Sequence, residues 1–316
     1  MRMKFMRILV TGGAGFIGIN LTLKLLKLGH EVTIIDNFIT SEKAKINVLR
    51  NKKNWQLIVA DIGKKLPTEL RKMKFNQIYH LACPTGVPNL IPLAEEMLLT
   101  SSLGTLNILE LAKKNKAKVL FTSSSEVYGD PKEFPQDESY TGNVDCIGIR
   151  SPYEEGKRFA ESMIAMYVKK YGLTGKIVRI FNTYGPYMSL GDYRVVPRFL
   201  FQAIAGEPLT INGDGKQKRT FCYVDDLVNG LLLIMDKGTR GEVYNLGSDE
   251  EITIEKLARL IIKITKSKSM IKYLKPLSHD PWRRLPNLNK VTNLRWRRYI
   301  SLEEGLRLTR AYLGHE

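Results

Sequence analysis

Tyr153 and Lys157 stand four residues apart, a spacing that puts two side chains on one face of a helix. A tyrosine hydroxyl ordinarily keeps its proton to about pH 10. A neighbouring ammonium favours the phenolate, so such a pair can take the proton of an alcohol while hydride leaves the same carbon. The pair alone is a common coincidence. The segment FTSSSEVYGD (121–130) adds to it, because it follows an apolar strand and carries Ser124, Ser125 and Glu126. Ser124 can hydrogen-bond the reacting oxygen and share the proton transfer. Glu126 is a second acid–base group, more than simple alcohol oxidation requires. The expected catalytic set is Tyr153, Lys157, Ser124 and Glu126.

A hydride needs an acceptor, and the first forty residues supply a place for one. Gly12, Gly15 and Gly18 are spaced three apart in TGGAGFIG, between the apolar run MRILVT and an apolar-periodic stretch from Phe16 to Leu28. The first glycine permits a tight turn, the second a close approach of backbone to pyrophosphate, and the third close helix–strand packing. The helix start points free N–H groups at that pyrophosphate. Asp36 ends the next strand, where it can accept from the adenosine ribose hydroxyls. A carboxylate there repels a 2′-phosphate and no arginine follows it directly, so NAD is expected rather than NADP. Asp61, at the end of the third strand, is a candidate for the adenine amino group. The cofactor pocket is expected to include Gly12, Gly15, Phe16 and Ile17, then Asp36, Asn37, Asp61 and Ile62. Leu81, Ala82, Tyr153 and Lys157 are expected to complete it.

These groups must be carried by elements, and the pattern names them. Strands are expected at 6–11, 31–36, 56–61, 77–82, 118–124 and 176–181. Helices are expected at 16–28, 66–73, 93–115 and 151–171, the last stopped by Gly172. Strands alternating with helices imply an α/β fold, a doubly wound parallel sheet covered on both faces. After residue 182 turns multiply and segments shorten. The division expected is an NAD-binding domain over 1–181 and a smaller, mainly substrate-binding lobe over 182–316. EVYNLG (242–247) is a strand that could rejoin the large sheet.

Composition narrows the class. The 316 residues are 43% hydrophobic and 26% charged, ordinary for a globular protein. No apolar run reaches the roughly 18 residues of a membrane span, and the first residues run straight into a strand. No membrane partner and a cytoplasmic location are therefore expected. Cys83, Cys146 and Cys222 fit neither a disulfide framework nor a metal site, so no metal is expected. The formal net charge is +17, with a dense cluster at Arg283, Arg284, Lys290, Arg295, Arg297 and Arg298. Without a readable nucleic-acid module this is read as a basic surface, partly serving an anionic substrate, and not as a nucleic-acid footprint. Arg298 is expected to be a surface charge of no consequence.

In this order, TGGAGFIG, the serine segment and Tyr-x-x-x-Lys resemble the extended short-chain dehydrogenase/reductase family of nucleotide-sugar epimerases, dehydratases and decarboxylases. The resemblance runs from Arg7 to about Leu313. SSSEVYGDP, the segment 142–161, RIFNTYGP (179–186), RVV (194–196) and the segment 213–227 look like the branch that decarboxylates UDP-glucuronate. The resemblance implies a retained NAD, a nucleotide-diphosphate sugar as substrate and oxidation at C4 of the sugar. It implies Tyr153 as base, Lys157 as its partner and holder of the nicotinamide ribose, and Ser124 as assistant. Glu126 would act in protonation at C5. Asn182 would bind the sugar phosphate, with Ser125 and Arg194 also on the substrate. Arg219 and Arg284 would contact the diphosphate or the sugar acid, Arg284 being favoured over Arg283 by the string DP-x-x-R-x-P (280–286). A homodimer through the helices at 93–115 and 151–171 is implied too. Departures leave a second reading open, a C4 epimerase, 4,6-dehydratase or C4 oxidoreductase on another hexose or heptose. After HLACP the chain has Gly86, Val87 and Leu90 where decarboxylases carry Ser-Pro-x-x-Tyr, and Asn212 replaces an aromatic. Dehydratases typically have Asp-Glu where this chain has Ser125-Glu126.

Overall fold

Short runs of β-branched and aliphatic residues, largely buried except in the edge strand β3, form the centre of the molecule. They are β1 (Arg7–Thr11), β2 (Glu31–Asp36), β3 (Trp55–Val59), β4 (Gln77–His80), β5 (Lys118–Ser124) and β6 (Gly175–Ile180). The computed structural model describes residues 5–189, 193–276 and 282–314. The later strands are shorter: β7 (Thr183–Tyr184), β8 (Leu209–Asn212), β9 (Lys218–Thr220), β10 (Cys222–Tyr223), β11 (Val243–Leu246), β12 (Glu251–Thr253) and β13 (Ile271–Leu274). The large sheet is parallel, in the order β11-β6-β5-β4-β1-β2-β3. It is the doubly wound α/β sheet expected. β11 comes from the second half of the chain and closes one edge on β6. The order reverses between β1 and β4, and at such a point a crevice opens beyond the carboxyl ends of the strands.

Helices cover both faces, as parallel strands require. The first five are α1 (Phe16–Lys27), α2 (Thr68–Lys72), α3 (Ala94–Leu99), α4 (Thr105–Asn115) and α5 (Ser151–Tyr171). Then follow α6 (Val195–Ile204), α7 (Val224–Lys237), α8 (Ile254–Thr265), α9 (Asn289–Asn293) and α10 (Leu302–Leu313). On one face Leu21 and Leu25 of α1 pack with Leu227 and Leu231 of α7. On the other, Ile108 and Ala112 of α4 meet Ala160 and Ile164 of α5. A third core joins α6, α8 and α10 through Phe199, Leu257 and Leu306. That core also takes in Leu209 and Ile211 of β8 and Ile252 of β12, and the two-stranded pairings there are β13 with β8 and β12 with β9.

Two helices matter most for the site. α5 begins with Pro152 in its first turn and ends in Gly172, at φ 69°. Pro is tolerated where the N–H has no helical partner, and glycine takes the left-handed conformation without strain. Glu154 in the first turn and Lys169 and Lys170 in the last complement the helix dipole. The expected single helix over 93–115 is instead broken by a π-helical turn at Thr100–Gly104. Such a turn accommodates an extra residue that no 3.6-residue period reveals. It brings Ser101 against Gly156 of α5, where a Cβ would lie 3.0 Å from the Ser101 hydroxyl.

Candidate active site

The crevice at the switch point is a cavity of about 410 Å³ running from Gly12 and Gly15 past Asp36 to Asp61. Gly12 has φ 68°, and a Cβ there would strike the Ala82 backbone at 2.8 Å. At Gly18 a Cβ would lie 2.2 Å from the Gly12 carbonyl, so α1 and β1 pack at backbone contact. Gly15, the N-cap of α1, makes no side-chain cap, which leaves its helix start open to an anion. Asp36 Oδ2 accepts from the Ala14 N–H at 3.0 Å, and Oδ1 accepts from Phe38 N–H at 2.9 Å and Ser41 Oγ at 2.8 Å. Three donors on a carboxylate with about four acceptor positions leave one, on Oδ2, for a ribose hydroxyl. The residues therefore fit an unphosphorylated dinucleotide. Phe16, Ile17, Asn37, Ile62, Leu81 and Ala82 also line this cavity, whereas Tyr153 and Lys157 line the neighbouring one.

The wall at Leu81 and Ala82 is fixed by a buried histidine. Thr11 Oγ accepts both their N–H groups at 3.1 Å, so its own proton goes to His80 Nδ1 at 2.8 Å. His80 is then the Nε2–H tautomer and donates to Thr105 Oγ at 3.1 Å. Burial, with the Lys157 charge adding to it, holds His80 down at about 3. It is a neutral strut at any physiological pH.

The second cavity, about 370 Å³, shares Ile17, Leu81, Cys83, Thr122 and Arg194 with the first, so the two are continuous. Tyr153, Lys157 and Ser124 line it together. Lys157 is 3% exposed; its ammonium donates to the Thr122 carbonyl at 2.9 Å and lies 5.8 Å from the Tyr153 ring centre. Ser124 caps the turn after β5 by accepting from the Glu126 N–H at 3.2 Å. α5 and the end of β5 thus bring a phenol, an ammonium and a hydroxyl to one wall. Asn182, Ser125, Arg194 and Arg219 line the same cavity, as do Glu126 and Arg284.

Electrostatically the site is an arginine cluster around one carboxylate. Glu126 is ion-paired to Arg150, and Arg284 Nη2 donates to it at 3.0 Å. Burial alone would raise the Glu126 carboxyl, but the Arg284 and Arg150 guanidiniums outweigh it and hold it at about 2. Glu126 is therefore a carboxylate at neutral pH and can give a proton only after receiving one. Arg284, 3% exposed, also donates to the Ser125 carbonyl at 2.6 Å and the Gly129 carbonyl at 3.2 Å. Both its terminal nitrogens are thus engaged by the protein. Arg219 Nη1 donates to the Lys218 and Trp282 carbonyls at 2.9 and 3.3 Å. Arg283 points elsewhere and pairs with Glu251 at 2.6 Å. Asp280 and Pro281, which open that segment, lie outside the described residues.

One expectation fails on geometry. Arg298 is not a free surface charge: its side chain is 23% exposed and pairs with Glu250 at 2.8 Å. It is drawn in beside Asp226, which accepts the Tyr299 and Ile300 N–H groups. Arg150 belongs to the site although the sequence does not single it out. It stands three residues before Tyr153, but nothing in a linear reading says that it meets Glu126, 24 residues away.

Comparison with known proteins agrees with this geometry. The sequence pattern of the NAD dependent epimerase/dehydratase family matches residues 8–247. UDP-glucuronic acid decarboxylase 1 of Danio rerio is 46% identical over 311 residues, which cover 98% of this chain and 73% of the relative. Among solved structures, UDP-glucose 4-epimerase of Thermotoga maritima with UDP-glucose superposes with a TM-score of 0.90 at 30% identity, covering 98% of this chain and 99% of that one. UDP-glucuronic acid 4-epimerase of Bacillus cereus, in complex with UDP-glucuronic acid and NAD, gives 0.88 at 30% identity over the same shares.

Proposed function

The chain belongs to the NAD dependent epimerase/dehydratase family, and we propose that within it the protein decarboxylates UDP-glucuronate to a UDP-pentose. The observation that carries this reading is the continuity of the two cavities. A dinucleotide crevice opens at Thr122 and Arg194 onto a pocket that holds Tyr153, Lys157 and Ser124 beside Arg150, Arg194, Arg219 and Arg284. A nucleotide sugar acid carries charge on its diphosphate and on C6, which suits that wall. The decarboxylases at 41–46% identity support the same choice.

When bound, NAD supplies the hydride acceptor and, once reduced, the donor. In this reading Tyr153 takes the proton of the C4 hydroxyl, with Ser124 sharing the hydrogen bond to that oxygen. Lys157, fixed on the Thr122 carbonyl, keeps a positive charge beneath the phenol and within reach of a ribose. In the 4-keto sugar the C6 carboxylate is β to the ketone. The C5–C6 bond breaks, its electrons pass toward the C4 oxygen, and carbon dioxide leaves. Tyr153 holds the C4 oxygen while the charge is there. C5 then takes a proton, and Glu126 serves by orienting Arg284 and Arg150 and by relaying that proton as a base. Tyr153 finally returns its proton to C4–O.

C4 epimerisation is the second reading. Gly86, Val87 and Leu90 line the sugar cavity, and the superposing structures named above are C4 epimerases. Mass spectrometry of products from UDP-glucuronate separates the two, since only decarboxylation lowers the mass.

The oligomeric state and location belong to the same proposal. Leu98, Leu103 and Leu106, along α3, the π turn and α4, and Phe159 and Met166 on α5 are exposed apolar residues. The faces of these packed helices suit a homodimer built by pairing with a second copy. The free thiols Cys83, Cys146 and Cys222 suit the reducing cytoplasm. Among the described residues no helix is long and apolar enough to cross a membrane.

A further inference from the structure

Arg283 and Arg284 are neighbours in sequence but hold opposite parts of the molecule. Arg284 lines the substrate cavity and donates to Glu126 and to the Ser125 carbonyl, on the turn after β5. Arg283 does not line that cavity. Its Nε and Nη2 donate to Glu251 Oε1 and Oε2 at 2.6 and 2.7 Å, and its guanidinium carbon lies 5.1 Å from the Phe134 ring centre. Glu251 opens β12, whose Ile252 packs against the core that joins α6, α8 and α10. The segment between them is extended: Arg283 pairs with Lys218 of β9, and Pro286 pairs with Gln136. Successive side chains in extended backbone leave on opposite sides, so one arginine faces the site and the next faces β12.

Arg283 and Glu251 are both partly exposed, and a pair in that setting adds little to stability. What a two-pronged contact adds is direction, because both nitrogens must meet both oxygens. The hydrogen bonds from Arg283 hold the Glu251 carboxyl below its ordinary value, against burial, so the grip is intact at neutral pH. The backbone is tied on either side of the two arginines. The Trp282 carbonyl accepts from the Lys218 N–H at 3.0 Å, and the Leu285 N–H donates to Gln136 Oε1 at 2.8 Å. Between these ties the two Cα atoms are only about 3.8 Å apart, so a turn of the backbone at 283 passes to the side chain of 284. The Arg284 bond to Glu126, at 3.0 Å, is lost within about half an ångström of displacement.

We propose that Arg283 is a positioning residue: by gripping Glu251 from outside the cavity, it sets the direction from which Arg284 meets Glu126. This rests on the reading of Arg284 and Glu126 as parts of the reacting site. The test is steady-state kinetics of the NAD-loaded protein on UDP-glucuronate, counting any converted nucleotide sugar as product. Arg283→Gln and Glu251→Gln are each expected to lower kcat about tenfold or more, the scale of loss when a group at the reaction is slightly misplaced. KM and NAD affinity should change by less than about threefold, since neither residue touches a ligand. The double variant should be no slower than either single one, because both remove the same contact. Arg283→Lys should lie between wild type and Arg283→Gln, since an ammonium is a point charge where the guanidinium is a fork. An unchanged kcat would overturn the proposal. So would losses that multiply in the double variant, or substrate and NAD binding that weaken in step with kcat, as a general loosening of the fold would give. If the glutamine variants do not fold, Arg283→Lys is measured in the same way. A loss confined to kcat then supports the proposal, and no loss, or a loss shared with binding, overturns it. Wild-type protein that leaves UDP-glucuronate unconverted would overturn the functional reading itself, and this inference with it.

Discussion

Replacing Glu126 with glutamine removes the negative charge held between Arg284 and Arg150 while keeping the shape of the side chain. The carboxyl sits at about 2 in the folded protein against an ordinary 4.5. That gap corresponds to about 3 kcal/mol of folding stability from the ionised form. A lowered carboxylate stabilises fully above its unfolded value and loses this contribution as pH falls toward the folded one. Breaking a buried pair by removing one partner also costs about 3–5 kcal/mol. Part is recovered here, because Glu154 shares Arg150 at 3.0 Å. Its carboxyl is raised by burial and then by the Glu126 charge, and it relaxes when that charge goes. Glu126→Gln is therefore expected to be less stable than wild type by about 3 kcal/mol at pH 7. The gap should shrink to about 1 kcal/mol near pH 3, where the carboxyl of the unfolded chain is already protonated while the folded one is still mostly ionised. Urea unfolding of both proteins at a series of pH values measures it. A gap that stays constant with pH, or no gap at all, would refute the reasoning about the clamp.

Three other outcomes follow from the same geometry. Tyr153→Phe should lower turnover by about 100-fold or more, with an unchanged circular dichroism spectrum; retention of a tenth of the wild-type rate would exclude Tyr153 as the main base. Asp36→Asn should shift the NAD-over-NADP preference toward NADP by about tenfold, read by titrating both into stripped protein, and a change below about twofold counts against the ribose assignment. Light scattering should report a dimer at micromolar concentration, and Leu103→Glu with Phe159→Glu should yield monomers; a wild-type monomer would remove the α3–α5 face as an interface.

What could be read from the chain alone follows from how local each feature is. Gly12, Gly15, Gly18 and Asp36 lie within one strand–helix–strand unit, so their spacing already carries their geometry. Tyr153 and Lys157 sit one helical turn apart, and helix α5 is bounded by Pro152 and Gly172. The Arg150–Glu126–Arg284 cluster is different, because its members are 24 and 158 residues apart. Only the fold brings the end of β5, the start of α5 and the 282–286 segment together. Arg298 shows the same limit: its dense basic neighbourhood reads as surface, and Glu250 and Asp226 draw it inward. The π turn at Thr100–Gly104 is hidden because one added residue hardly disturbs an apolar period. The 3₁₀ segment Lys43–Leu49 has no period to detect.

The most direct measurement is mass spectrometry, with NMR of the sugar ring, on the products formed by NAD-loaded protein from UDP-glucuronate. Release of carbon dioxide and a UDP-pentose is the expected result. A product of unchanged mass with inverted C4 would contradict decarboxylation and leave an epimerase in its place.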